Sequence, residues 1–276
     1  MPTAAREIEK GEIFFFYRPR VGADEVKGRE EVQRFYVVLA AQSPKKVYRL
    51  FLVGRKKLPQ PKREQDRERR RWALSVLVST KPDDIRRELA ALENTTKTRG
   101  KRFVPAAKPI GEGRYVLFRH GDHTELAYAL ELPKMPGPAQ EEFEVKPEAS
   151  YIVGVKNPEI SRPGAPVPPK PPAYPRTLLE KFGRRRWIPV DDPALLDYDN
   201  TQLLLLGARA EEIETELGLH IDPEHHVVTG AAVCRELRMQ CDRERVQALL
   251  TGDFPEREKS QGEAEGDLVV RARGRR

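Results

Sequence analysis

The chemistry-bearing residues of this chain gather in two places. His120-Gly121-Asp122-His123-Thr124-Glu125 holds two imidazoles and a carboxylate within six residues, and His220, His225 and His226 form a second group further on. In the first group the central Gly-Asp suits a tight turn between antiparallel strands, which would bring both imidazoles and Glu125 to one point. Neutral imidazole plus carboxylate is a donor set for a first-row divalent ion, and His120, His123 and Glu125 are the metal-ligand candidates. The plainer reading is a turn with solvated histidines, because zinc sites usually show tighter ligand pairs. In the second group His225 and His226 could join Cys234 and Cys241. These are the chain's only cysteines, however, and their spacing of seven, two helical turns, fits buried structural thiols better. No motif demands a cofactor; a divalent metal is the one the residues admit.

Charge is divided by position. Residues 1–110 carry 27 Lys and Arg against 14 Asp and Glu, a net +13, while the remainder carries 23 against 29, a net −6. A basic half of this kind is a common footprint of a polyanion-facing surface. The candidate anion contacts are Arg18, Arg20, Arg55, Lys56, Lys57, Arg69, Arg70, Arg71, Lys101 and Arg102. Eight of the twenty aromatic residues, Phe14, Phe15, Phe16, Tyr17, Phe35, Tyr36, Tyr48 and Phe51, fall within residues 14–51 of that half. Rings exposed on a sheet can stack unpaired bases while Arg and Lys meet phosphates. Strand alternation nevertheless turns some of these rings inward, and a packed core accounts for most of them.

The function these features suggest is non-catalytic binding of an anionic partner, nucleic acid or another polyanion, with RNA before DNA. The alternatives are an enzyme with a metal-assisted or acid/base site at His120, His123 and Glu125, and a protein-interaction adaptor. Sequence signatures of phosphate-binding loops, dinucleotide folds, serine hydrolases and zinc peptidases are absent, so the sequence specifies no reaction.

The elements that must position these residues read as an α+β protein. Ile13–Tyr17, Val32–Ala40 and Val47–Val53 are β-prone runs, the last two joined by a turn at Gln42–Lys45. Arg55–Arg71, with nine Lys and Arg, suggests a basic helix from about Lys62, although Val76–Val78 suits a strand equally. Ser79–Asp84 opens an amphipathic helix carrying Ile85, Leu89 and Leu92, and Asn94–Gly100 reads as a polar loop. Arg114–Phe118 and Glu125–Leu132 flank the histidine turn, and Tyr151–Val155 is a further strand. Eight prolines between Asn157 and Pro175 suggest a polyproline spacer, with a proline-binding partner as the functional alternative.

Beyond the spacer, Thr201–Leu206 followed by helical spacing at Ala210, Ile213 and Leu217 reads as a βα unit, Ala231–Leu237 continues as helix, and Asp242 caps a last helix. The expected organisation is therefore an antiparallel-sheet N-terminal domain (1–156), a Pro-rich linker (157–175), a smaller C-terminal α/β domain (176–252) and a disordered tail (253–276). Gly100–Pro105 resembles Gly183–Pro189 as a basic-aromatic entry to a strand, a similarity that chance also explains. Two cysteines, no apolar leader and no apolar run near ~20 residues predict a cytoplasmic protein with reduced thiols and no membrane insertion.

Overall fold

The computed structural model describes residues 5–23, 26–60, 69–96, 100–160, 168, 170–208, 232–239 and 242–255. Its strands are β1 (Arg6–Pro19), β2 (Val32–Ser43), β3 (Val47–Val53), β4 (Arg70–Ser79), β5 (Leu92–Thr96), β6 (Gly100–Val104), β7 (Lys108–His120), β8 (His123–Leu132), β9 (Glu148–Lys156), β10 (Trp187–Pro189) and β11 (Gln202–Gly207). Its helices are α1 (Pro82–Leu89), α2 (Pro138–Glu142), α3 (Arg176–Phe182), α4 (Ala232–Glu236) and α5 (Arg243–Thr251).

Eight strands close on themselves in the order β9, β11, β4, β3, β2, β1, β7, β8, with β8 returning to β9 and every pairing antiparallel. This overturns the expected α+β arrangement of two domains. The strand read as the start of a C-terminal α/β unit, β11, lies between β4 and β9 and completes the wall of the one barrel. Closure removes the free edges that an open sheet would have to protect. β10 extends β9 beyond the point where β8 stops.

Period-two alternation explains which side chains fill the barrel. Ile13, Phe15 and Tyr17 of β1 pack with Val37 and Leu39 of β2, Phe51 of β3, Tyr128 of β8 and Leu203 of β11. Eight strands give an interior just wide enough for side chains to fill. Among the described residues the space left there is a cavity of about 30 Å³, walled by Phe15, Phe51, Tyr128 and Tyr151. The alternate residues of β1 to β3 are buried too, because Phe14, Phe16, Tyr36, Val38 and Leu50 lie beneath α1, α4 and α5. All eight aromatics of residues 14–51 are therefore core, on one face of the wall or the other, whereas Phe103 is exposed.

Both ends are stoppered. At one, α2 and the final residues bring Phe143 and Phe254 against Tyr17, and Phe143 also stacks on Phe35 with ring centres 4.9 Å apart. At the other, the crossover from β9 to β11 brings α3 and the short turn Pro193–Leu196, which bury Phe182, Leu195 and Leu196. Beneath this stopper the buried Arg49 donates to both Glu9 oxygens (2.6 and 2.9 Å) and to Asp197 (2.8 Å), and the Tyr115 hydroxyl donates to Glu9 (2.7 Å). Burial weakens the charge on Arg49, but the Glu9 carboxylate outweighs it and holds the guanidinium protonated.

Several local expectations are met and several are corrected. The strand around Ile13–Tyr17, the Val32–Val53 hairpin, α1 and the Asp242-capped α5 are present, Asp242 accepting from the Arg245 amide at 2.8 Å. The basic run enters a strand, β4, from Arg70 onward, whereas the proposed helix start at Lys62 and the helix at 210–217 lie outside the described residues. Of the stretch read as a polar loop, Asn94–Thr96 belongs to β5 and Gly100 to β6, which pair as a two-stranded ribbon, and residues 97–99 lie outside the described residues. Cys234 is disulfide-bonded and so is not the buried free thiol expected; Cys241 lies outside the described residues. Of the Pro-rich spacer, residues 161–167 and 169 lie outside the described residues, as do 256–276 of the tail.

Candidate metal centre

β7 and β8 are built to meet at a two-residue turn. Gly121 takes φ +55°, a conformation that favours glycine, and His120 pairs with His123 across the hairpin. Because Leu117 and Leu126 face the barrel core, the alternate residues His120, His123 and Glu125 share its outer wall. Their ligand atoms all lie within 4.8 Å of one another. His123 Nε2 stands 2.8 Å from Glu125 Oε1, and His120 Nδ1 stands 3.9 Å from the same oxygen. Metal–donor bonds of about 2.0–2.2 Å set tetrahedral ligands roughly 3.4 Å apart, so small side-chain rotations would bring these three onto one ion.

The supporting contacts carry more information than the ligand count. Glu125 is buried, and its other oxygen, Oε2, accepts from the Ser150 hydroxyl of β9 at 2.5 Å, which fixes the carboxylate and leaves Oε1 for a ligand. His123 Nδ1 lies 3.1 Å from Asp122 Oδ1, so Nε2 is the nitrogen directed at Glu125. A carboxylate on the far nitrogen of a ligating imidazole is the usual way its tautomer and orientation are set. Burial opposes protonation of His123, but its contacts to Asp122 and Glu125 outweigh it and raise its pKa above the ordinary imidazole value. The same contact with His123 holds the Asp122 carboxyl below the usual range. From their spacing, sequence reading named the three candidate donors that the structure brings together. It missed Ser150, whose approach depends on the β8–β9 pairing.

The described basic candidates differ in how they are engaged. Arg18 is buried at the opposite end of β1, where its guanidinium donates to the carbonyls of Glu88, Ala90 and Pro105, closing the C-terminal end of α1. Lys56 donates to the carbonyls of Arg29 and Val32, Arg69 to that of Gly207, and Arg71 is buried with a bond to the Arg70 carbonyl. Arg20, Arg55 and Arg70 are exposed and Lys57 is half-buried, while the side chains of Lys101 and Arg102 lie outside the described residues.

A closed eight-stranded antiparallel barrel with a three-donor group on its outer wall is the class of protein these features define. The chain matches no protein-family model, no curated protein and no solved structure. Among the described residues no helix is long and apolar enough to cross a membrane.

Proposed function

We propose that the protein is a metal-binding β-barrel that holds one divalent first-row transition ion through His120 Nδ1, His123 Nε2 and Glu125 Oε1. The observation that carries this reading is the pair of supporting contacts, Ser150 to Glu125 and Asp122 to His123, which orient two of the three donors toward a shared point. Three protein donors leave a coordination position toward solvent, as in sites where the ion takes water or an oxygen-bearing ligand. An ion of this kind supplies Lewis acidity to whatever oxygen occupies that position. The chain's own part is to set the orientation of the His123 imidazole and to hold the Glu125 carboxyl group fixed.

Purified, tag-free protein titrated with zinc or cobalt(II) should take up one equivalent, read by elemental analysis after gel filtration. At a hundredfold excess over its dissociation constant the ion should stabilise the fold by about 2.7 kcal/mol. At ~2–4 °C per kcal/mol this is a rise of about 5–11 °C in Tm. Removing both imidazoles (His120→Ala with His123→Ala), or Glu125→Gln alone, should abolish the rise. An ion content unchanged in these variants, or no stoichiometric ion in the native chain, would refute the reading.

A further inference from the structure

The ribbon of β5 and β6 forms a sheet separate from the barrel wall, at the other end of β1 from the metal centre. Among the described residues its strands pair only with each other, from Leu92 with Val104 to Thr96 with Gly100, so each keeps a free edge. Its root is fixed. The buried Arg18 guanidinium donates to the carbonyl of Ala90 before β5 (3.0 Å) and to that of Pro105 after β6 (2.6 Å), and the Ala107 amide donates to the Leu89 carbonyl (2.8 Å). Both legs are thereby held where they leave the body of the protein.

An open edge is a template for another strand. Residues 92–104 carry Lys97, Arg99, Lys101 and Arg102 against Glu93 alone, a balance that repels a second copy of the ribbon and favours a chain of opposite sign. Apolar surface accompanies the charge. Leu92 is 43% and Phe103 61% exposed, and because Leu92 pairs with Val104 while Phe103 pairs with Glu93, alternation puts the two on opposite faces of the ribbon. A strand added at an edge would thus find an apolar neighbour on each face. At the root lies a recess of about 250 Å³, lined by Leu89, Ala91, Ala106 and Met239 together with Arg86 and Arg245. It is smaller than the ~300–1,000 Å³ of small-molecule sites and suits an inserted side chain. Asp83 is shared between Arg86 (2.9 Å) and Arg238 (3.2 Å), one carboxylate between two cations, so this side stays positive.

We propose that the ribbon is a docking edge for an acidic, extended peptide segment of a partner protein, which adds to it as a further strand, places an apolar side chain in the recess and meets Arg86 and Arg245 with its carboxylates. Main-chain hydrogen bonds supply affinity in strand addition, and the recess with its two arginines supplies the preference for apolar and acidic residues. A root that is already fixed lowers the ordering cost of the addition. A nucleic-acid strand would draw on the same charge but needs rings on which successive bases stack. Phe103 is the only large aromatic ring exposed among the described residues, and the recess holds none.

The full-length chain is titrated with the fluorescein-labelled peptide Glu-Val-Asp-Leu-Glu-Val-Asp-Leu, with its analogue carrying Ser in place of every acid, and with an oligothymidylate of about ten nucleotides, each read by fluorescence anisotropy. The acidic peptide should bind saturably and more weakly as salt rises, and the Ser analogue should not bind. Two further analogues are N-methylated on alternate residues, one in each phase. Only one of them should lose binding, because an added strand pairs through a single edge, whereas attraction by charge alone would treat both alike. Arg86→Gln and Arg245→Gln should each weaken binding by about 1.5- to 5-fold, the range for exposed charge pairs. Ala106→Leu fills the recess and should weaken binding with its Tm unchanged. The proposal is overturned by absence of saturable binding of the acidic peptide, by equal affinity for the Ser analogue, by equal behaviour of the two methylated phases, by native affinity in Ala106→Leu, or by tighter binding of the oligothymidylate.

Discussion

Glu12 offers a test of how this wall is covered. It stands on the outer face of β1, where it pairs in register with Arg114 of β7 and is buried beneath α4, with one carboxylate oxygen lacking any hydrogen-bond partner. Burial is the first cause of its raised pKa, pushed up to about 7, and Glu236, Glu131 and Glu112 add to it while Arg235 opposes it. The neighbouring charges are already engaged: Glu112 accepts from the Ala232 and Val233 amides, Arg114 bonds Glu131 at 3.0 Å, and Lys46 bonds Glu236 at 3.3 Å. Arg235 is half exposed and 3.8 Å away, too weak a partner to restore the charge.

The sign of the effect follows from which state holds the proton more tightly. The folded chain binds it up to about pH 7 and the unfolded chain only to about 4.5, so this group favours folding in acid and that contribution is lost as pH rises through 7. At about 1.4 kcal/mol per tenfold change in proton affinity, the full loss is at most about 3 kcal/mol. Glu12→Gln is neutral throughout and escapes it. The variant should therefore match the native chain near pH 4 and exceed it above pH 8 by up to roughly 6–12 °C in Tm, at ~2–4 °C per kcal/mol. Thermal unfolding followed by circular dichroism across that range measures the gap. A variant less stable than the native chain at alkaline pH, or a difference that does not vary with pH, would show that the charge is not disfavoured by its burial.

A further expectation follows from the same structure. Arg49→Met leaves Glu9 buried with only the Tyr115 hydroxyl, and should cost about 3–5 kcal/mol in denaturant unfolding; adding Glu9→Gln should recover part of it, and a single-variant cost below about 1 kcal/mol would contradict the network.

What the sequence disclosed was local. The His120–His123 hairpin was readable because a two-residue turn and two short strands define it without help from elsewhere, and the capping of α5 by Asp242 was readable for the same reason. The barrel was not, because its closure depends on pairings between β11 and β4 and between β8 and β9, contacts that loop closure separates from any local pattern. The run Leu203–Leu206 misled for a physical reason. Leu203 and Leu205 face the core while Leu204 is half covered outside, so the strand shows the continuous apolarity of a parallel strand in an α/β protein. The basic residues show another limit of composition. Arg18 and Lys56 are spent on backbone carbonyls, a use that composition cannot distinguish from phosphate contact.

The architecture itself limits where chemistry can be placed. The barrel interior is filled by side chains and plugged beneath one end by the Arg49–Glu9–Asp197 cluster, and helices cover the outside of β1, β2 and β3. Among the described residues α4 and α5 also reach β7, where Glu112 accepts from the Ala232 and Val233 amides, and it is the His120–His123 hairpin at the far end of that strand that meets solvent. β9 serves this hairpin from the side, Ser150 fixing Glu125. A strand hydrogen-bonded on both sides within a closed wall is a rigid support, and rigidity is what a set of donors needs if its geometry is to be held before the ligand arrives.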